Sequence, residues 1–280
     1  MKNIYLFKII LISSILMVHF QTRAEILATR DVSVIKDKIA QLKTGDMVLF
    51  DVKGVIFYSG DQVMFHEHKK SLFNQKFAQI EKNLGKEEAI RLKSIILNSY
   101  EPAIVDHEIS EIIKKAQKSG VVAFALTSGN TGNYGIIKNR ADLRVRIIKD
   151  IGIDFSKSMD LPYIDLGDDS KFSTENYQGN PPLFQEGIIF CSKKPKGEIL
   201  SRFLKVTKLK PPKIIFIDNQ LRNVISVEKK CQELGIEYVG IYFTKIYKES
   251  YEQLDKKLLR KNSKFFYLKI SGSVMVKLVF

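Results

Sequence analysis

Cysteine is scarce in this sequence: Cys191 and Cys231 are the only two among 280 residues, so at most one disulfide has to be considered. A spanning helix needs ~20 consecutive apolar residues, and the stretch from Ile9 to Phe20 falls short of that. Gly129-Asn-Thr-Gly-Asn133 lacks the Gly-Lys-Ser/Thr ending of a nucleotide-binding loop, which makes it a plain loop. No run alternates arginine with aromatic residues, although 45 basic against 31 acidic residues give a net charge of +14. The lysines are scattered, which favours solvated helix faces over a surface for nucleic acid or anionic lipid.

Acids are missing altogether from the first 24 residues, where Lys2, Lys8 and Arg23 carry the only formal charges. A basic start, the apolar stretch Ile9 to Phe20 and Thr22-Arg23-Ala24 ahead of a cut after Ala24 predict a secretory signal over residues 1–24. The expectation is an exported protein, periplasmic or secreted, with no membrane span once the signal is cleaved.

What the sequence does have is enough apolar side chain, 45% of residues, to bury a full core in one or two domains. Val34, Ile35, Ile39 and Leu42 recur at helical spacing ahead of the apolar strand Met47-Val-Leu-Phe50. That strand runs directly into Asp51 and then Gly54. An acid delivered to the carboxyl end of a buried strand is a candidate nucleophile or metal ligand, since open parallel sheets bind ligands along that edge. Asp is also a common turn former. From Asp61 to about Glu101 the pattern is helical and polar, with Phe73, Phe77, Ile80 and Leu84 on one face before Gly85, then Ile90, Leu92, Ile95 and Ile96 before Pro102. His66-Glu67-His68 does not qualify as a metal pair, because residues two apart on a helix do not face one another.

The layout then repeats. A helix with Ile109, Ile112, Ile113 and Ala116 leads to the strand Val121 to Leu126, which ends in Thr127-Ser128-Gly129. Arg140 to Asp150 fits a helix, Asp160 to Leu183 reads as polar surface loop, and Gly187 to Ser192 as a short strand. Lys196-Gly197 opens a helix, and Lys213-Ile-Ile-Phe-Ile-Asp218-Asn219 is a second strand ending in an acid. A helix from Asn223, a strand from Glu237 to Phe243 and a helix from Tyr247 to Leu259 follow. Residues 264–280 suggest a hairpin or an edge strand.

Phe50-Asp51-Val52-Lys53-Gly54-Val55, Thr127, Lys196 and Asp218-Asn219 resemble, in order, the four motifs of the haloacid dehalogenase-like (HAD) phosphohydrolase superfamily. The similarity covers most of residues 31–260 and is nearest to an uncharacterised bacterial group of secreted members. Two positions depart from the pattern: Lys53 stands where a second aspartate belongs, and Asn219 where a further acid is usual.

The resemblance implies an α/β fold, a Rossmann-like parallel sheet flanked by helices, with a small helical cap inserted after the first strand. In those terms the core comprises residues 25–60 and 106–262, the cap 61–105, and residues 263–280 a tail of unknown role. The Asp51 strand is expected to be central, between the strands ending at Thr127 and Asp218.

It also implies a chemistry. Asp51 attacks phosphorus to form an aspartyl-phosphate, Thr127 or Ser128 donates to a phosphoryl oxygen, and Lys196 offsets charge, with Lys193 and Lys194 as competitors. Magnesium is implied on Asp51, the backbone carbonyl of Lys53 and Asp218, unless the Lys53 ammonium takes the ion's place beside Asp51. Lys53 also removes the group that protonates the leaving group, a contribution of about 10²–10⁴ in rate. The expected partner is a small phosphorylated substrate or anion. The alternatives are a binding protein that keeps only the fold and, third, a surface binder of nucleic acid or anionic lipid. In this strand order Cys191 and Cys231 lie on opposite sides of the Asp51 strand and are expected to be unbonded.

Overall fold

Strands buried on both faces read as continuous apolar runs, and the runs identified in the sequence become adjacent members of one sheet. The computed structural model describes residues 24–59, 74–99, 101–167, 181–250, 266–270 and 274–278. Its sheet contains β1 (Ala24–Thr29), β2 (Met47–Phe50), β5 (Val122–Thr127), β6 (Ile164–Asp165), β7 (Leu183–Gln185), β8 (Ile188–Phe190), β9 (Lys213–Asp218) and β10 (Glu237–Phe243). The strand order is β1-β10-β9-β2-β5-β8-β7-β6. Every pairing from β1 to β8 is parallel, and β8-β7-β6 is antiparallel. β2 is therefore flanked by β9 and β5, as the motifs require.

Alternate residues of each strand feed two cores, one on either face. Val48, Phe50, Ala123, Ala125, Ile215 and Ile217 pack with helices α1 (Val32–Ile39), α4 (Glu108–Lys118) and α5 (Arg140–Asp150). Met47, Leu49, Phe124, Leu126, Ile214 and Phe216 pack with α6 (Lys196–Thr207) and α7 (Leu221–Glu233). The fold is thus an α/β sandwich with a mostly parallel central sheet. Asp31 starts α1 by accepting from the Ser33 N–H at 2.9 Å, and Asn139 starts α5 by accepting from Ala141 N–H at 2.8 Å.

Between β2 and β5 lies the insertion. A short antiparallel pair, β3 (Phe57–Ser59) with β4 (Pro102–Ile104), brackets helices α2 (Asn74–Leu84) and α3 (Lys86–Ser99). Phe77, Ala89, Leu92 and Ile96 are buried. Leu84, expected on the same face as Phe77, is instead exposed where Gly85 (φ +85°) turns the chain. The insertion rests on the loop after β5: Ser94 Oγ accepts from the Ile136 N–H at 2.9 Å. A Cβ on Gly135 would lie 2.2 Å from that Oγ and 2.9 Å from the Ile90 carbonyl, so only glycine permits the approach.

Two further features differ from the sequence reading. β1 was not foreseen; it pairs in parallel with β10 from Ala24↔Tyr238 to Thr29↔Phe243. The segment 160–183 is not all loop, since β6 and β7 extend the sheet by antiparallel pairing. Of the two readings of residues 264–280 the hairpin is the one seen, β11 (Phe266–Ile270) with β12 (Val274–Leu278). After β10 the described helix is α8 (Lys245–Ser250). Residues 1–23 of the expected signal, His66-Glu67-His68 and most of the expected last helix lie outside the described residues.

Candidate active site

Hydrogen bonding along β2 continues one residue past the strand, where the Asp51 N–H donates to the Ile217 carbonyl at 2.8 Å. The chain then folds back at once. The Val52 carbonyl accepts from the N–H groups of Ile56 and Phe57, both at 3.1 Å, and the Gly54 N–H donates to the Phe57 carbonyl at 2.8 Å. Gly54 has φ +99°, and a Cβ there would lie 2.3 Å from Asn219 Nδ2. Glycine thus satisfies both the turn and the close approach of the residue after β9.

Asp51, Lys196 and Asp218 meet below this turn. The Lys196 ammonium donates to Asp51 Oδ1 at 2.6 Å, to Asp218 Oδ2 at 2.7 Å and to the Leu126 carbonyl at 2.7 Å. Its side chain is 1% exposed, against 8% for Asp51 and 0% for Asp218. The Phe216 ring lies 5.3 Å below the ammonium. Lys196 reaches this point because Pro195 fixes the entry to α6 and places the lysine in its first turn.

Burial pushes the Asp51 carboxyl up to about 6, with Lys196 pulling it down and Asp218 adding to the rise. For Lys196 burial acts to lower the value, but the two carboxylates outweigh it and hold the ammonium above the usual lysine range. Lys196 is therefore a permanent cation.

Asp218 accepts four bonds. Oδ1 takes the Gln220 N–H at 2.7 Å and Asn223 Nδ2 at 3.2 Å. Oδ2 takes Lys196 Nζ at 2.7 Å and Asn223 Nδ2 at 3.0 Å. An ionised carboxylate offers about four lone-pair sites, so none is left over. A magnesium ion placed on Asp218 as the resemblance implies would have to displace one of these bonds, so the donors present fit it poorly.

The remaining predicted residues are distributed as follows. Thr127 ends β5 and is buried, with Oγ1 accepting from the Gly129 N–H at 3.2 Å. Ser128 is exposed, and its carbonyl accepts from Lys193 N–H at 3.3 Å. Lys193 is exposed and Lys194 half-buried, so Lys196 alone of the three enters the carboxylate pair. The Lys196 ammonium bonds Asp51. Lys53 is half-buried, in a bridge to Phe57. Sequence reading missed Asn223 and the Leu126 carbonyl. An amide side chain in the first turn after a strand-end acid was the available signal for Asn223; a backbone carbonyl leaves none.

Neither cysteine is bonded, and burial pushes both thiols up to about 12. A cleft of about 710 Å³ lined by Leu204, Lys205, Lys208, Pro211, Pro212 and Ile236 lies at the amino ends of β9 and β10. That is the sheet edge opposite Asp51.

The sequence profile of a family described as "Protein of unknown function (DUF2608)" matches residues 28–272. The chain belongs to this family. Among DUF2608-related sequences, a "Putative outer membrane protein" of Chlamydia trachomatis is 27% identical over 140 residues, 50% of this chain and 46% of the relative. One of the same description from Chlamydia pneumoniae is 29% identical over 139 residues, again 50% and 46%. This DUF2608 chain thus spans about half the length of these relatives. A crystal structure of a HAD family enzyme from Bacteroides thetaiotaomicron aligns with 70% of this chain and 93% of its own, at 16% identity and a TM-score of 0.34.

Proposed function

We propose that this protein is an exported HAD-like phosphohydrolase that works through an aspartyl-phosphate and is restricted to substrates with good leaving groups. One observation carries the reading: the buried Asp51, Lys196 and Asp218 side chains join at the carboxyl ends of the adjacent strands β2 and β9. Buried ion clusters are costly to build, and clusters placed at the ligand-binding edge of a parallel sheet are functional candidates.

In this mechanism an Asp51 carboxylate oxygen attacks phosphorus while the bond to the leaving oxygen breaks, and that oxygen departs with the electron pair. Water then attacks the aspartyl-phosphate, releasing inorganic phosphate and restoring the carboxylate. The Thr127 hydroxyl is assigned to donate to a phosphoryl oxygen, and Lys196 holds Asp51 in place. With Lys53 in the position of the proton donor, acyl phosphates and anhydrides are the substrates of choice, because their leaving groups depart as stable anions.

The test compares acetyl phosphate with glycerol phosphate. Turnover of the first alone, abolished by Asp51→Asn, is expected; Lys53→Asp is expected to raise glycerol phosphate turnover toward the ~10²–10⁴ range of general acid catalysis. If neither wild type nor Lys53→Asp hydrolyses anything while tungstate still binds, a binding protein replaces the enzyme. That second reading is favoured by Lys53 itself.

Export is supported by the acid-free first 24 residues and by the description of the chlamydial relatives as outer membrane proteins. Among the described residues no helix is long and apolar enough to cross a membrane. Fractionation of the tagged full chain should recover it outside the cytoplasm; cytoplasmic recovery of an intact leader would overturn export.

A further inference from the structure

We propose that the Lys196 ammonium is the resident cation of this site, so that anionic ligand binds there without a divalent ion, and that Asn223 is the positioning residue that commits Asp218 to this arrangement. The proposal rests on the phosphoryl-site reading above and deepens it.

Three observations support it. The three N–H donors of Lys196 are matched by three acceptors, Asp51 Oδ1, Asp218 Oδ2 and the Leu126 carbonyl, at 2.6, 2.7 and 2.7 Å. A lysine ammonium has three donors and no acceptor, so it is fully coordinated and fixed, much as a metal ion would be. Next, Asn223 spreads one amide nitrogen across both Asp218 oxygens at 3.2 and 3.0 Å, while the Gln220 N–H takes Oδ1 at 2.7 Å. A magnesium ion binds at 2.0–2.1 Å and gives up its own water reluctantly, and it would have to displace one of these bonds to reach Asp218. Finally, Asp51, Lys196 and Asp218 together leave a single negative charge, two fewer than acids at positions 53 and 219 would give, which weakens the attraction for a dication.

The reduced negative charge also suits an anion. A phosphoryl group arriving beside Asp51 meets a carboxylate already compensated by Lys196, so the repulsion that a bare carboxylate would exert is removed at source.

The experiment titrates the full-length protein with manganese alone, read by electron paramagnetic resonance, and with tungstate, read calorimetrically in EDTA and again in magnesium. No stoichiometric manganese site and the same tungstate affinity in both buffers are expected. The double variant Lys53→Asp, Asn223→Asp is expected to gain manganese affinity by about tenfold or more, the scale on which neighbouring groups tune metal sites. Asn223→Ala, which removes the amide donor, is a second variant with the same direction of effect. Stoichiometric manganese binding by the wild type overturns the proposal, as does tungstate binding that requires magnesium; that second result leaves the phosphoryl reading standing. Tungstate that binds in neither buffer defeats the phosphoryl reading, and this proposal with it.

Discussion

Lys196 bridges two carboxylates that are themselves almost without solvent. Removing one partner of a buried ion cluster leaves charge uncompensated, at about 3–5 kcal/mol. Lys196→Met should lose stability on that scale at pH 8 in urea denaturation, and regain part of it in acid, where the carboxylates are protonated. Asp51 titrates in the same cluster. Its folded value of about 6 lies above the reference of 3.8, so the folded state holds the proton more tightly and stability falls as pH rises across that window. Nucleophilic attack needs the ionised form, so turnover should rise with pH through about 6; a profile flat from pH 5 to 8 would mean that Lys196 outweighs burial and keeps Asp51 ionised throughout. At this scale the strand-end acids and the lysine before a helix were legible, because each lies at a change of hydrophobic period. Lys53 drew attention because it stands where the resemblance puts a second aspartate, which says nothing of how the fold brings an ammonium to Asp51. Lys196 does so at the entry to α6, from 145 residues away.

The helical insertion meets the core through a contact as small as Ser94 against Gly135. Gly135→Ala should push α3 off the loop that follows β5 and leave the sheet intact. Hydrogen exchange over residues 86–99 should accelerate while β2 and β9 keep their protection; equal loss in both would mean that the insertion is part of the core's cooperative unit. Elements whose apolar pattern is strong, such as α5 and β10, were readable to within a residue or two. β1 was not, since Ala24-Glu-Ile-Leu-Ala-Thr29 gains its strand character only from β10, a partner far along the chain. β6 and β7 were hidden for a related reason: two and three residues carry no periodicity of their own.

For the molecule as a whole, layers on both faces of the sheet make its centre the most protected region. Amides of β2, β5 and β9 should exchange slowest and those of β1 and β6 fastest, measured by mass spectrometry on the native protein; slowest exchange at the edges would contradict the strand order. That order also carries a consequence for how the chain is made. The central strand, β2, has β9 as one of its two neighbours, and β1 waits for β10. A ribosome working at ~5–20 residues per second needs roughly 10–30 s to go from Phe50 to Asp218. Both edges of β2 are open until β5 is made and one stays open until β9 follows, so the nascent chain cannot close its core before the last third of the message is read.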